Sequence, residues 1–256
     1  MAQTWYNLLF MHWSLAPDQL RPRVPASLEL DTFGGQAWLA VVPFGMTDIH
    51  LRGVPAVPGT AATLELNVRT YVRVGDRPGV YFFSLDAANP LLVTAARVWY
   101  HLPYYWSDMR MSVGADDWIT YRSRRRHPGP ASAELALRYR PAGPVYRAAP
   151  GSLEAWLTER YCLYTVHSGR ICRGEIHHRP WPLQGAEAEV GMNSMTAPIG
   201  LGSADVPNWA PGAGQGLSVG LGSGPRPGPA LPDTQPLLHF ARRLEMVAWA
   251  IEAVAH

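Results

Sequence analysis

The chain has no lysine: every one of its 22 Lys-or-Arg positions is arginine. A lysine amine can lose its proton, attack a carbonyl and form a Schiff base, whereas a guanidinium stays charged and is a poor nucleophile. Imine chemistry on a lysine side chain is therefore excluded, and binding of anions is not. Cysteine is scarce, and the two present, Cys162 and Cys172, make no disulfide framework. Charged residues are 16% of the chain and the formal net charge is +2, too little to draw a nucleic acid or a membrane by bulk electrostatics. No apolar run reaches the length of about 18 residues that a membrane span needs. Residues 1–17 lack the basic start and small-residue cleavage site of a signal peptide. No Gly-x-Ser-x-Gly elbow is present, and the glycine-rich pieces at 200–204 and 220–224 lack the following helix that a phosphate loop requires.

Glycine and proline are abundant, at 24 each, so many turns and few long helices are expected. Short runs rich in β-branched and aromatic residues read as strands at 5–13, 37–46, 63–73, 80–86, 161–166 and 171–178. Three helices are expected. One starts near Pro17, one runs from about Pro90 to Tyr100 behind Asn89 as N-cap, and one follows Ser152 as N-cap. Ser168-Gly169 reads as a two-residue hairpin loop that sets Cys172 opposite Thr165 and Cys162 opposite Glu175. The two thiols then point to opposite faces and stay reduced, which fits a cytoplasmic location. Between 197 and 236, 17 of 40 residues are Gly or Pro. That stretch is expected to be an insertion, either disordered or a lid. Residues 237–254 fit a helical face and a strand face alike.

Two strands carry chemistry on one face. Strict alternation in 65–71 puts Glu65, Asn67, Arg69 and Tyr71 together, either as a wet face or as the inner wall of a barrel. A buried Glu65 is then expected to pair with Arg69, because an unpaired buried carboxylate is costly. In 173–178, Arg173, Glu175 and His177 share a face and His178 takes the other; such a row can hold a carboxylate or move protons. Neighbouring histidines on a strand do not reach one ion together, so no metal site is expected. His101 precedes the aromatic group 104–106, where Tyr104 and Tyr105 fit either a core or a pocket rim. Four arginines in residues 122–126 form the densest charge run. A solvated strand end or an anion contact explains them better than nucleic acid, for which no motif is present.

Taken together and in order, the blocks 7–13, 65–72, 79–86, 102–105 and 174–183 resemble the YqjF-like family of uncharacterised bacterial proteins. The similarity spans roughly residues 3–195 and resumes at 237–249. That family is grouped by fold with acetoacetate decarboxylase. The resemblance implies a β-rich α+β chain: a cone-shaped antiparallel β-barrel with a central cavity, short flanking helices and a C-terminal strand at about 237–249. The decarboxylase works through a lysine imine; its lysine aligns near Val98 and Trp99, where this chain has no amine, and its barrel glutamate aligns with Glu65. The resemblance thus carries the cavity across and leaves the imine behind.

The resulting expectation is a single barrel domain over 1–256 with a pocket for a carboxylate- or carbonyl-bearing small molecule. Glu65, Glu175 and His177 are the candidate acid–base groups. Asn67, Arg69, His101, Tyr104, Tyr105 and Arg173 are the candidate ligand-binding residues. No cofactor, metal, nucleic acid or membrane partner is expected, and a homo-oligomer is compatible with the sequence. As an enzyme the chain would be a lyase, hydratase or isomerase working without an imine. As a binding module it would be a ligand sensor on the same barrel. Nucleic-acid binding through Arg122–Arg126 is the remaining alternative.

Overall fold

Ten consecutive residues, Ala37–Met46, are buried without a break. A strand with one wet face alternates polar and apolar; an unbroken buried run means that both faces lie inside. Leu8–Trp13 behaves the same way. In the computed structural model, which describes residues 1–50, 61–129, 131–202, 205–206 and 235–254, these segments belong to a wall between two compartments.

The strands are β1 (Ala2–Leu15), β2 (Glu29–Leu30), β3 (Ala37–His50), β4 (Thr63–Val74), β5 (Arg77–Ala87), β6 (Tyr104–Val113), β7 (Ile119–Arg125), β8 (Glu134–Tyr146), β9 (Cys162–His167), β10 (Arg170–His178), β11 (Leu183–Asn193), β12 (Leu237–Ala248) and β13 (Glu252–Ala253). The helices are α1 (Pro17–Leu20), α2 (Pro90–Trp99) and α3 (Leu153–Thr158). Asn89 caps α2 by accepting from the Leu91 and Leu92 amides, and Ser152 caps α3 by accepting from Ala155. The Gly/Pro-rich stretch expected at 197–236 lies mostly outside the described residues. At its start, Leu201 and Val206 pack into the core.

One sheet runs β13-β10-β9-β5-β6-β7-β8-β11-β12-β1-β3-β4-β2, and the extra pairings β10–β12 and β5–β4 bend it into two rings. The smaller ring is β1, β3, β4, β5, β9, β10 and β12; the larger is β1, β3, β4, β5, β6, β7, β8, β11 and β12. Strands β12, β1, β3, β4 and β5 are common to both. The sheet is mixed and not wholly antiparallel, because β5 runs parallel to β6 and to β9. A parallel neighbour needs a long crossover, and α2 supplies the one between β5 and β6.

The larger ring is packed solid around Leu9, Met11, Leu39, Val68, Tyr121 and Phe240. Its two buried tyrosines find carbonyls: Tyr121 donates to Glu65 (2.7 Å) and Tyr139 to Asn7 (2.6 Å). The opposite faces of the common strands line the smaller ring, which holds a cavity. Two register slips adjust which residues face it. Between Tyr6 and Met11, β1 holds one residue more than β3, and Asn7 takes a left-handed φ of 52°. The cavity-facing positions accordingly change from Gln3 and Trp5 to Leu8 and Phe10. In β5 the extra residue is Phe83, and the facing set changes from Val80 and Phe82 to Leu85 and Ala87.

The hairpin β9–β10 has the expected register, with Cys172 opposite Thr165 and Cys162 opposite Glu175. Ser168 and Gly169 both take positive φ, and both cysteines are free. The arginine run is divided by the pleat of β7: Arg122 and Arg124 are exposed, while Arg125 is buried. Arg125 forms a two-pronged ion pair with Asp86 (2.8 and 2.7 Å), and Ser107 donates to the same carboxylate at 2.7 Å. The Tyr105 ring covers the guanidinium at 4.2 Å. With both partners almost fully buried, removing one leaves an uncompensated charge. Asp86→Ala is expected to cost about 3–5 kcal/mol of stability, read as the shift in urea midpoint. A loss under about 1 kcal/mol would mean that water reaches the pair.

Candidate ligand-binding site

Alternation along β4 sends Leu66 and Val68 into the solid core and Thr63, Glu65, Asn67 and Arg69 into a cavity of about 220 Å³. Opposite Glu65 stands Tyr104, the first residue of β6. Its backbone is tied to α2 because Arg97 Nη1 donates to the Tyr104 carbonyl at 2.7 Å. The Tyr104 hydroxyl donates to Glu65 Oε2 at 2.9 Å. Burial raises the Glu65 carboxyl to a pKa of about 7; the Tyr104 hydrogen bond opposes that rise and the nearby Asp86 charge adds to it. Glu65 is thereby poised to carry or release a proton near neutral pH. Burial, reinforced by the Glu65 charge, pushes the Tyr104 hydroxyl well above its ordinary value, so it acts as a donor.

The expected Glu65–Arg69 pair does not form. Four residues along a strand span about 13 Å, and the phenol of Tyr104 is nearer. Arg69 instead lies over the rings of Phe10 (5.6 Å) and Tyr71 (5.9 Å). Its Nε is buried without an acceptor, and among the described residues no carboxylate forms an ion pair with it. Arg160, which follows α3, also lines the cavity. Its Nη1 donates to Asp31 at 2.6 Å and its Nε to the Trp156 carbonyl at 2.6 Å, while Nη2 is buried without an acceptor. The Asn67 Oδ1 is likewise unfilled. His178 reaches the cavity from β10. Its Nδ1 lies 2.8 Å from the Arg179 carbonyl; a carbonyl only accepts, so Nδ1 carries the proton and Nε2 offers a lone pair. Burial lowers the His178 pKa and favours the neutral ring. His12 and His239, buried 6.1 Å apart with His12 also against Tyr71, are both lowered by burial, His239 to about 4.

Among the expected site residues, Glu65, Asn67, Arg69 and Tyr104 are brought together in the cavity. Glu175 stands at its edge, half exposed and paired with Arg77 (2.8 Å) and Arg173 (3.1 Å). His177 is exposed and lines an outer groove with Arg147, Arg179 and Arg243. His101 is exposed, with its ring stacked on His167 at 3.6 Å. Tyr105 turns away from Tyr104, as the pleat requires, onto Arg125. Sequence reasoning missed Arg160 and His178. The signal for His178 was its phase: it shares a face with Gly174 and Ile176, the side suited to an interior. Arg160 carried no signal, because it sits in an irregular turn. Val98 and Trp99, where the decarboxylase lysine aligns, are exposed on α2. Among the described residues no group of three or more His, Cys, Asp or Glu could hold a metal ion, and no helix is long and apolar enough to cross a membrane.

A family model described as an uncharacterized conserved protein matches residues 2–245. The uncharacterized protein YqjF of Bacillus subtilis (strain 168) is 39% identical over 251 residues, covering 98% of this chain and 91% of that protein. Three solved structures share the fold. An acetoacetate decarboxylase-like enzyme from Sphingomonas wittichii RW1 aligns with a TM-score of 0.59 at 12% identity, covering 99% of this chain and 92% of that one. The enduracididine biosynthesis enzyme MppR, complexed with pyruvate, aligns at 0.58 and 10% identity, covering 99% and 90%. The acetoacetate decarboxylase of Legionella pneumophila aligns at 0.52 and 12% identity, covering 99% and 87%. The acetoacetate decarboxylase-like fold is the one expected from the sequence.

The pKa of Glu65 makes a measurable claim about stability. Because the folded value of about 7 lies above the ordinary carboxyl value of 4.5, the native state holds its proton more tightly than the unfolded chain does. The carboxyl therefore imposes a penalty that is absent below about pH 4.5 and full above about pH 7. His12 and His239 act in the opposite sense, destabilising the fold as pH falls, so the parent must be compared with Glu65→Gln. From pH 4.5 to 7.5 the parent is expected to lose about 3 kcal/mol relative to the variant, measured by urea unfolding. Parallel profiles would put the Glu65 carboxyl in water.

Proposed function

The chain belongs to the DUF2071 family of uncharacterized conserved proteins, and from that footing we propose that its cavity binds a small carboxylate- and carbonyl-bearing compound and moves a proton on it. One observation carries this reading: Arg69, without an ion-pair partner among the described residues, beside Arg160 with an unfilled Nη2, faces the same chamber as a carboxyl held near neutrality. A partly buried guanidinium without a counter-charge loses solvation uncompensated, and a bound carboxylate supplies that charge with matching geometry. The pyruvate held by MppR, a structural relative, supports the same class of ligand.

In this reading Arg69 and Arg160 fix the carboxylate. Glu65, held by Tyr104 through Oε2, uses Oε1 to take or give the proton beside the carbonyl. The neutral His178 offers a second acceptor. An enolisable acid so placed loses an α-proton to ionised Glu65 and regains it, the core step of imine-free isomerases, hydratases and lyases. With no lysine side chain in the sequence, the step proceeds on the carbonyl itself.

The test pairs thermal shift with solvent-deuterium exchange at the α-carbon of pyruvate and larger 2-oxo acids. The parent is expected to be stabilised by the acid, and Arg69→Gln to lose that stabilisation. Glu65→Gln is expected to keep most of the binding and lose about 100-fold or more in exchange rate. Equal stabilisation of parent and Arg69→Gln would overturn the anion site. Binding without exchange in the parent would leave a ligand-binding module and remove the proton transfer.

A further inference from the structure

We propose that the compound bound in this chamber is a monocarboxylic acid whose apolar body is about the size of a phenyl ring, with the acid end at Arg69 and Arg160 and the body toward α2. This rests on the carboxylate reading above and adds what the rest of the molecule must be.

The division of the lining carries it. The lining groups with unfilled hydrogen-bonding capacity are Asn67, Arg69, Arg160 and the indole N–H of Trp5; the two guanidiniums both lie over the Tyr71 ring and form the cationic end. Much of the remaining wall is apolar and aromatic, including Phe10, Phe44, Phe82, Leu102 and Trp181. On α2, the positions that line the chamber are Leu92, Ala95, Ala96 and Trp99. Their i, i+3, i+4, i+7 spacing makes one apolar stripe along a helix. The charged residue of that helix, Arg97, is turned to the Tyr104 carbonyl. A sugar acid would bury hydroxyls against that stripe without partners, which is unfavourable. A dicarboxylate would bring a second charge against the α2 stripe, whose lining positions Leu92, Ala95, Ala96 and Trp99 carry no cation.

Size points the same way. An apolar cavity of about 150 Å³ accommodates benzene. The chamber measures about 220 Å³, which leaves about 70 Å³, the volume of roughly two waters, for a carboxylate and its carbonyl. Pyruvate alone would leave most of the apolar wall uncovered. On the solvent side, Trp99 and Trp249 are both exposed and both line the chamber, so the body meets apolar surface out to the edge.

Isothermal titration of the full chain with four probes tests the assignment: pyruvate, phenylpyruvate, 2-oxoglutarate and 1-phenylpropan-2-one. Phenylpyruvate is expected to bind about 10- to 100-fold more tightly than pyruvate, and 2-oxoglutarate no more tightly than pyruvate. Trp99→Ser, at an exposed position that the fold tolerates, is expected to lower the phenylpyruvate-to-pyruvate ratio. If pyruvate binds as tightly as phenylpyruvate and both are lost in Arg69→Gln, the apolar-body assignment is overturned while the carboxylate site stands. If 1-phenylpropan-2-one matches phenylpyruvate, the body binds without the arginines and the carboxylate reading falls. If no acid binds, both are overturned.

Discussion

Everything in this molecule depends on a five-strand wall whose central stretch has no outside. Strands β12, β1, β3, β4 and β5 belong to both rings, so along that stretch, as at Leu8–Trp13 and Ala37–Met46, each residue must suit one interior or the other. A strand in an ordinary barrel is free to be wet on alternate positions. Here the pleat sorts side chains between a compartment filled by apolar side chains and one that holds a cavity. Leu66 and Val68 fill the first; Glu65, Asn67 and Arg69 line the second. The polar row survives inside the protein because its neighbours on the other face supply the burial that holds the wall together.

The wall also explains why the chamber's electrostatics are unusual. Asp86 and Arg125 satisfy each other across the solid compartment, but Asp86 lies close enough to Glu65 to discourage a second negative charge. Arg160 has Asp31, whereas Arg69 has aromatic faces and no ion pair among the described residues. The chamber thus has more positive than negative character, with His12 and His239 held toward the neutral form close by. The carboxylate ligand proposed above would offset that character.

Much of the smaller ring was legible in the sequence. Of the wall, β1, β3, β4 and β5 were legible as runs rich in β-branched and aromatic residues, whereas β12 fitted a helix and a strand alike; the helix caps at Asn89 and Ser152 were legible as short polar residues, and the β9–β10 register as a two-residue loop. The polar row of β4 was visible through its alternation, although alternation alone does not tell a wet face from a lined chamber. The strands β6, β7, β8 and β11 were not legible. Their outer faces mix charges such as Asp108, Arg110, Arg122 and Arg124 with small and polar residues, and Arg138 and Arg140 find Glu189 and Glu187 only across the strand boundary between β8 and β11. Prolines at 141 and 144 inside β8 further disguise it. His177 was the more conspicuous of two adjacent histidines, since it extends the Arg173/Glu175 row. The pleat places that row outward, and only the closure of the ring, a long-range property, decides which side is in.

The extra residue at Asn7 has a consequence for how such a chamber diversifies. It acts as a dislocation in the strand lattice, separating two segments of β1 that are out of phase with each other. Adding or removing one residue there would reverse the phase of residues 2–6 against β3, bringing Tyr6 in place of Trp5 against the cavity, and β12, whose pairing with residues 2–12 runs without a slip, would have to absorb the same change. Length, and not only side-chain identity, is thus an inherited variable for the outer part of the chamber. Its deeper polar row, carried by β4 on the far side of β3, is insulated from that change.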